Sequence, residues 1–325
     1  MNNKKNKKLI ISIVTPCFNE EKTIDTCYKE VKKIMDNELP SFDYEHIFCD
    51  NHSSDKTLEK IKAIANKDKK IKIIVNSRNF GAFASIFNGM LSATGSAIIP
   101  MLAADLQDPP NVIPKMVKQW QLGYKVVYGK RIDREQGVLL SFFRSIYYLL
   151  VEKSSNVKVQ KNVGEFTLID KKVQSALKEF DDYFPYLRGM IASCGFNSTT
   201  VEYKWEPRKN GKTTSTSLAL INDGINGLIS FSNLPMRICM FSGFLIATLS
   251  IMYAIYSLII VTFFPIQAAP GISLIITSIF FFFGVTFLFL GILGEYVCAI
   301  HSQVRKKPLV IEVERINFKN KRDST

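Results

Sequence analysis

At 325 residues, with 42 Lys and Arg against 29 Asp and Glu, the chain carries a formal net charge of +13. That length accommodates one sizeable α/β domain plus a further part, and the charge asks for an anionic partner: nucleic acid, an anionic membrane surface or an anionic substrate. Nucleic acid is set aside because no motif of the usual binding kinds occurs. The six scattered cysteines form no C-x-x-C pair and read as reduced thiols rather than a disulfide framework, and His46, His52 and His301 lack zinc-ligand spacing.

The N-terminus, Met1–Lys8, is basic and polar, and the apolar run after it is too short for a signal peptide. Leu9–Thr15 (LIISIVT) is an apolar, β-branched run closed by Pro16 and predicts a buried strand. Glu20 to Met35 has helical periodicity, with Ile24, Tyr28, Val31 and Met35 on one side. The pattern then alternates. Strands are expected at Glu45–Cys49, Lys72–Val75, Ala97–Leu102 and Lys125–Gly129, and helices at Asp55–Ala65, Phe83–Ala93 and Val112–Leu122. Such alternation implies an α/β fold with a mostly parallel sheet covered on both faces. Ligands of such sheets bind beyond the carboxyl ends of the strands, so Asn19-Glu20, Asp50-Asn51, Asn79 and Asp105 should converge on one crevice.

Arg131–Arg134 opens a different region. Phe142–Val151 (FFRSIYYLLV) reads equally as a core helix or a membrane-facing one, and Ser217–Phe231 as an interfacial amphipathic helix or an ordinary packing helix. From Ile238 to Gly294, 57 residues pass without Asp, Glu, Lys, Arg or His. About 20 apolar residues span a bilayer, and Pro265 and Pro270-Gly271 mark a turn. The expectation is a hairpin of two transmembrane helices, 236–264 and 272–301. Arg237 at its entry and Arg305, Lys306 and Lys307 after its exit place both ends in the cytoplasm by the positive-inside rule.

Three loops carry the chemistry. Thr15–Glu21 (TPCFNEE) presents backbone and carboxylate to a base or ribose, although most such turns are only helix caps. In Cys49–Thr57, Asp50 stands at a strand end where it can accept from a nucleobase or ribose, and Asp55 reads as a helix cap. In Met101–Pro110 (MLAADLQDPP), Asp105, the Gln107 amide oxygen and Asp108 lie close together. Hard oxygen ligands of this kind hold Mg²⁺ or Mn²⁺ and leave positions for diphosphate oxygens.

These segments resemble glycosyltransferase family 2 with its GT-A fold, and within it the polyisoprenyl-phosphate branch. The resemblance covers nearly the whole chain: Pro16–Glu20, Asp50–Thr57, Arg78–Gly81, Ala104–Pro110, Gly129–Arg131, Gly164–Phe166, Arg208 with Gly211, Phe231-Ser232 and the apolar tail. It implies a nucleotide-sugar site of Pro16, Phe18, Asn19, Glu20, Asp50, Asn79, Ala104, Asp105 and Arg208, with Asp105 and Gln107 holding Mg²⁺ or Mn²⁺. It further implies Asp105, Glu165, Arg131 and Arg134 as catalytic residues, the two arginines meeting an acceptor phosphate. The sequence departs from the family at Asn51, where a second Asp is usual after the second strand, and at Ala103, where the first Asp of Asp-x-Asp is usual.

The organisation expected is a cytoplasmic catalytic domain (1–212), an interfacial helix (213–235), the hairpin (236–301) and a basic cytoplasmic tail (302–325). The protein would sit multi-pass in the cell membrane and move a hexose, from UDP-glucose or UDP-N-acetylglucosamine, onto undecaprenyl phosphate. The alternative is a non-catalytic nucleotide-sugar-binding membrane protein. A homo-oligomer is left open.

Overall fold

The structure, a computed structural model, describes residues 8–132, 163–180, 186–206, 272–304 and 308–318, together with separate positions between 241 and 263. The chain divides into two compact units: Met1–Ser145, Val157–Ser217 and Lys307–Thr325 in the first, Ile146–Asn156 and Leu218–Lys306 in the second.

The first unit is an α/β domain. In chain order it contains β1 (Ile10–Cys17), α1 (Ile24–Glu38), β2 (Asp43–Asp50), α2 (Thr57–Lys67), β3 (Ile71–Asn76), α3 (Ala82–Ser92) and β4 (Ala97–Ile99). A 3₁₀ turn at Pro110–Val112 leads into α4 (Ile113–Gln121), followed by β5 (Val126–Arg131), β6 (Val163–Asp170), α5 (Lys171–Leu177), α6 (Leu187–Ser193) and β7 (Ser198–Tyr203). The sheet order is β7-β5-β6-β4-β1-β2-β3-β8, where β8 (Glu312–Ile316) comes from the far end of the chain. The pairs β4–β1, β1–β2, β2–β3 and β5–β7 are parallel. β6 runs antiparallel between β4 and β5, and β8 antiparallel along β3.

The central strands are buried on both faces, with successive side chains pointing to opposite sides. Ile11 and Ile13 point into the larger core with Phe48, Ile73, Ile99 and Phe166, against Ile24 and Val31 of α1, Ile61 of α2 and Met116 of α4. Val14 and Cys49 point to the other face, where α3 lies so close that a Cβ at Gly89 would stand 2.6 Å from both the Cys49 Sγ and the Val14 Cγ1. A larger residue at position 89 would lift α3 off the sheet.

Several boundaries differ from the sequence reading, each for a local reason. β1 continues through Pro16 to Cys17, because β4 pairs only with Ile11–Ile13 and no ladder remains on that side for the missing N–H to break. α1 starts at Ile24 rather than Glu20, since the Glu20 carbonyl accepts from the Thr23 and Ile24 N–H groups and closes a turn first. β5 extends to Arg131, held by parallel pairing with β7 that sequence pattern alone could not foretell.

In the second unit, α7 (Ile272–Val304) covers the expected second span, and its Phe281–Cys298 window has a mean hydropathy of 1.9 with none of it buried. It is the one helix among the described residues long and apolar enough to cross a membrane. The expected first span, 236–264, is described only in part; positions 241–243, 245, 246, 248, 249, 252, 255, 256, 259 and 263 are helical. A Cβ at Gly243 would lie 3.4 Å from the Phe289 ring, so the two apolar segments meet there. The segments read as 142–151 and 213–235 lie outside the described residues.

Candidate active site

An open parallel sheet binds ligands at the carboxyl ends of strands flanking the point where strand order reverses. Here that point is β1, with β2 and β3 on one side and β4 on the other. The loops at these strand ends are fastened to one another by side chains.

The β1 and β2 loops form one unit. Asn19 stands at φ 57, its N–H donates to the Ser53 hydroxyl (3.0 Å), and its Oδ1 accepts from the Ser54 N–H (2.8 Å). Asp50 is fully buried and accepts from the Ser53 N–H (3.1 Å) and hydroxyl (2.5 Å), so it sets the loop that holds Asn19. The Glu20 N–H donates to the Thr57 hydroxyl (2.8 Å). Asp55 accepts from the Thr57 N–H (2.9 Å) and from the Glu21 N–H (3.1 Å), the capping role expected of it. Burial tends to raise the Asp55 pKa, but these hydrogen bonds outweigh it and hold the carboxyl below its ordinary value.

The β3 loop joins through amides. Asn51, the residue standing where the family has a second Asp, is buried; its Oδ1 accepts from the Asn76 amide (2.8 Å) and its Nδ2 donates to the Gly81 carbonyl (3.3 Å). An ionised carboxylate here could accept the first bond but could not make the second. The neighbouring turn is closed by Asn79, whose Oδ1 accepts from the Gly81 N–H (2.8 Å), and Arg78 stacks on Phe80.

The acidic loop after β4 is anchored at both ends. The Leu102 N–H donates to the Val14 carbonyl (2.8 Å), and the Gln107 carbonyl accepts from the Glu206 N–H (3.0 Å) just past β7. Between them Ala104 is buried, Asp105 Oδ1 accepts from the Gln107 N–H (3.1 Å), and Leu106 takes φ 57. A non-glycine residue in that region costs about 1 kcal/mol or more and clusters at functional sites.

Arg131 and Glu165 each form an ion pair. Arg131, at the end of β5, donates from Nη2 to both oxygens of Asp108 (2.9 and 3.2 Å) and from Nε to the Tyr203 hydroxyl (3.1 Å). Tyr203 in turn donates to Asp108 (2.5 Å), and the guanidinium lies 5.2 Å from the Trp205 ring. Burial works against the Arg131 charge, but Asp108 and Tyr203 outweigh it and raise its pKa. On β6, Glu165 pairs with Arg188 of α6 at 2.7 Å.

The structure thus ties Asn19 to Asp50 through Ser53, and Arg131 to the acidic loop through Asp108. Pro16 and Phe18 lie on and just after β1. Arg134 and Arg208 lie outside the described residues. Sequence reasoning missed Ser53, Asn76, Arg188, Tyr203 and the pairing role of Asp108. Only Asp108 had a signal, its place in the acidic run; the others become partners through strand order.

Among the described residues no group of three or more His, Cys, Asp or Glu could hold a metal ion. The donors at Asp105 and Gln107 are all oxygen, which suits Mg²⁺ or Mn²⁺ provided substrate oxygens and water complete the shell.

Comparison with known proteins gives three findings. The model of the family described as Glycosyl transferase family 2 matches residues 12–190. A prophage bactoprenol glucosyl transferase homolog of Escherichia coli is 34% identical over 302 residues, 93% of this chain and 97% of its own length, and an uncharacterized glycosyltransferase of Bacillus subtilis, YkcC, is 32% identical over 315 residues, 96% and 95%. The mannosyl-3-phosphoglycerate synthase structure from Rubrobacter xylanophilus aligns with a TM-score of 0.46 at 13% identity, over 68% of this chain and 73% of that one.

Proposed function

The chain belongs to glycosyl transferase family 2 and is a glycosyltransferase, and from that premise we propose that it transfers a hexose from a nucleotide-sugar to polyprenyl phosphate at the cytoplasmic face of a membrane. One observation carries the reading. The acidic loop after β4 and the arginine ending β5 are joined by Asp108, so oxygens suited to a donor's metal–diphosphate stand beside a cation suited to a second phosphate.

The acceptor follows from the relatives. Proteins named bactoprenol glucosyl transferase match 92–93% of this chain, apolar tail included, at 33% identity. The same names favour glucose, and UDP-glucose stands ahead of UDP-N-acetylglucosamine as donor. In the reaction a phosphate oxygen of the lipid forms a bond to the anomeric carbon while the bond from that carbon to the nucleoside diphosphate breaks. Attack from the opposite face inverts the centre. A phosphomonoester with a second pKa near ~6 is already anionic at neutral pH, so the nucleophile needs little base, and Glu165, paired with Arg188, orients rather than deprotonates. The chain's main work is positioning and charge compensation. Pro16, Phe18, Asn19, Glu20, Asp50, Asn79, Ala104 and Arg208 form the nucleotide-sugar site, and Arg131 and Arg134 receive the acceptor phosphate. Asp105 and Gln107 would hold Mg²⁺ or Mn²⁺, which when bound neutralises charge on the departing diphosphate.

A two-span hairpin agrees with the contact of Gly243 and Phe289 and with β8. β7 precedes the apolar run and β8 follows it, yet both are strands of one sheet, which supports an even number of crossings between them. The basic residues at both ends of the run support a cytoplasmic side for this domain.

The test is incubation of membranes containing the protein with undecaprenyl phosphate, Mg²⁺ or Mn²⁺ and labelled nucleotide-sugars. Label should enter lipid from one donor and be lost with chelator or with Asp105→Ala. No label from any donor, with nucleotide still bound, overturns the reading.

A further inference from the structure

We propose that Asp108, Tyr203 and Gly164 form a seat that fixes the Arg131 guanidinium in the orientation needed to receive the acceptor phosphate, which makes Asp108 and Tyr203 positioning residues of the transfer reaction. The inference rests on the acceptor reading above and assigns roles that it does not contain.

The seat is closed on several sides. Asp108, with 4% of its side chain exposed, meets Arg131 through one nitrogen, Nη2, which donates to both of its oxygens. Tyr203 occupies Nε and also donates to Asp108, so three side chains from the acidic loop, β5 and β7 form a ring of hydrogen bonds. Beneath them β6 has no side chain: a Cβ at Gly164 would stand 3.2 Å from Nη2 and 3.4 Å from the central carbon of the guanidinium. The Trp205 ring closes another side.

An arginine has five N–H donors in a fixed planar fork. Nε and Nη2 are occupied, and Nη1 has no partner among the described residues. Three contacts around a planar group leave it no rotation, so the Nη1 edge points one way before any ligand arrives. An arginine serving only to stabilise the fold would more simply direct both amino groups at its carboxylate in the bidentate fork. Here the carboxylate is confined to one nitrogen. Asp108 also belongs to the loop that carries Asp105 and Gln107, so the seat of the arginine is built on that loop.

The experiment measures initial rates with full-length protein, varying undecaprenyl phosphate and nucleotide-sugar separately, for wild type, Asp108→Asn, Tyr203→Phe and Gly164→Ala. Asp108→Asn should raise KM for the lipid phosphate about tenfold, as expected when a hydrogen bond to a charged group is weakened. The other two should raise it about threefold, by loss of the two bonds of the Tyr203 hydroxyl or by a displacement of a few tenths of an ångström. KM for the donor should stay within about twofold throughout. Tyr203→Phe and Gly164→Ala decide the matter should Asp108→Asn fail to fold. Equal rises in both KM values, or lower thermal stability with unchanged lipid KM, overturn the inference alone. Absence of lipid labelling by wild type overturns the acceptor reading, and the inference with it.

Discussion

Arg131 and Asp108 are joined through a single nitrogen, with Nη2 of the arginine donating to both carboxylate oxygens at 2.9 and 3.2 Å. The arginine side chain is 18% exposed and the aspartate 4%. Removing one member of a buried pair strands the other charge, whereas replacing both with apolar groups does not. Asp108→Ala should therefore destabilise the protein by about 3 kcal/mol, and Asp108→Leu combined with Arg131→Met by clearly less. Thermal or denaturant unfolding in detergent measures both; equal losses would show that the charges are not coupled.

Asp105 is the strand-end carboxylate of the acidic loop and is held by the Gln107 N–H. Asp105→Ala should lower kcat by about 10²-fold or more and Gln107→Ala by about tenfold, in proportion to the charge stabilisation each gives the departing diphosphate. Activity against metal concentration should show Gln107→Ala partly rescued by excess Mn²⁺.

Asn19 combines a positive φ with bonds to Ser53 and Ser54. Asn19→Gly keeps the backbone conformation and loses the side-chain bond, while Asn19→Ala loses both. The alanine variant should be less stable than the glycine variant by about 1 kcal/mol. Both should raise KM for the nucleotide-sugar, because the β1 loop is no longer held to the β2 loop. Equal stability of the two would mean that the loop relaxes out of the left-handed region.

His46 is fully buried on β2, its ring 4.0 Å from that of Phe48 and tilted by 33°, with Nε2 2.8 Å from the Thr15 hydroxyl. Burial pushes its pKa down to about 3. Below its ordinary value of about 6.5 the unfolded chain takes up a proton that the folded chain refuses, so stability falls with pH between those two values. From pH 7 to pH 5 this group alone should remove about 2 kcal/mol. His46→Gln should lose correspondingly less over the same interval, as read from melting temperatures at the two pH values.

Asn317, at φ 60 just past β8, donates from Nδ2 to the carbonyls of Ala65 (2.9 Å) and Ile71 (2.8 Å). Glu312 takes the Asn88 amide (2.6 Å) and is bridged by Arg315. Ending the chain before residue 308 should bare the β3 edge and lower the melting temperature of the catalytic domain. Asn317→Ala should cost about 1–2 kcal/mol through two unpaired carbonyls. A truncated protein melting like the full chain would refute the strand's contribution.

The alternating pattern from Leu9 to Gly129 was enough to determine an α/β domain, because each strand and helix there buries a face that its own residues specify. The loops that close those strands were legible too, since polar residues after a buried run have only the carboxyl edge of the sheet to occupy. The uncharged run from Ile238 to Gly294 announced itself by composition. Partners could not be read in this way. β6 enters antiparallel between β4 and β5, β7 lies parallel to β5, and β8 returns from beyond α7 to the edge of β3. Only that order brings Tyr203 and Asp108 to Arg131, Arg188 to Glu165, and Asn317 to Ala65. Residue types and local periodicity determine which elements form; which charges meet depends on pairings between segments far apart in the chain, and those are decided when the sheet assembles.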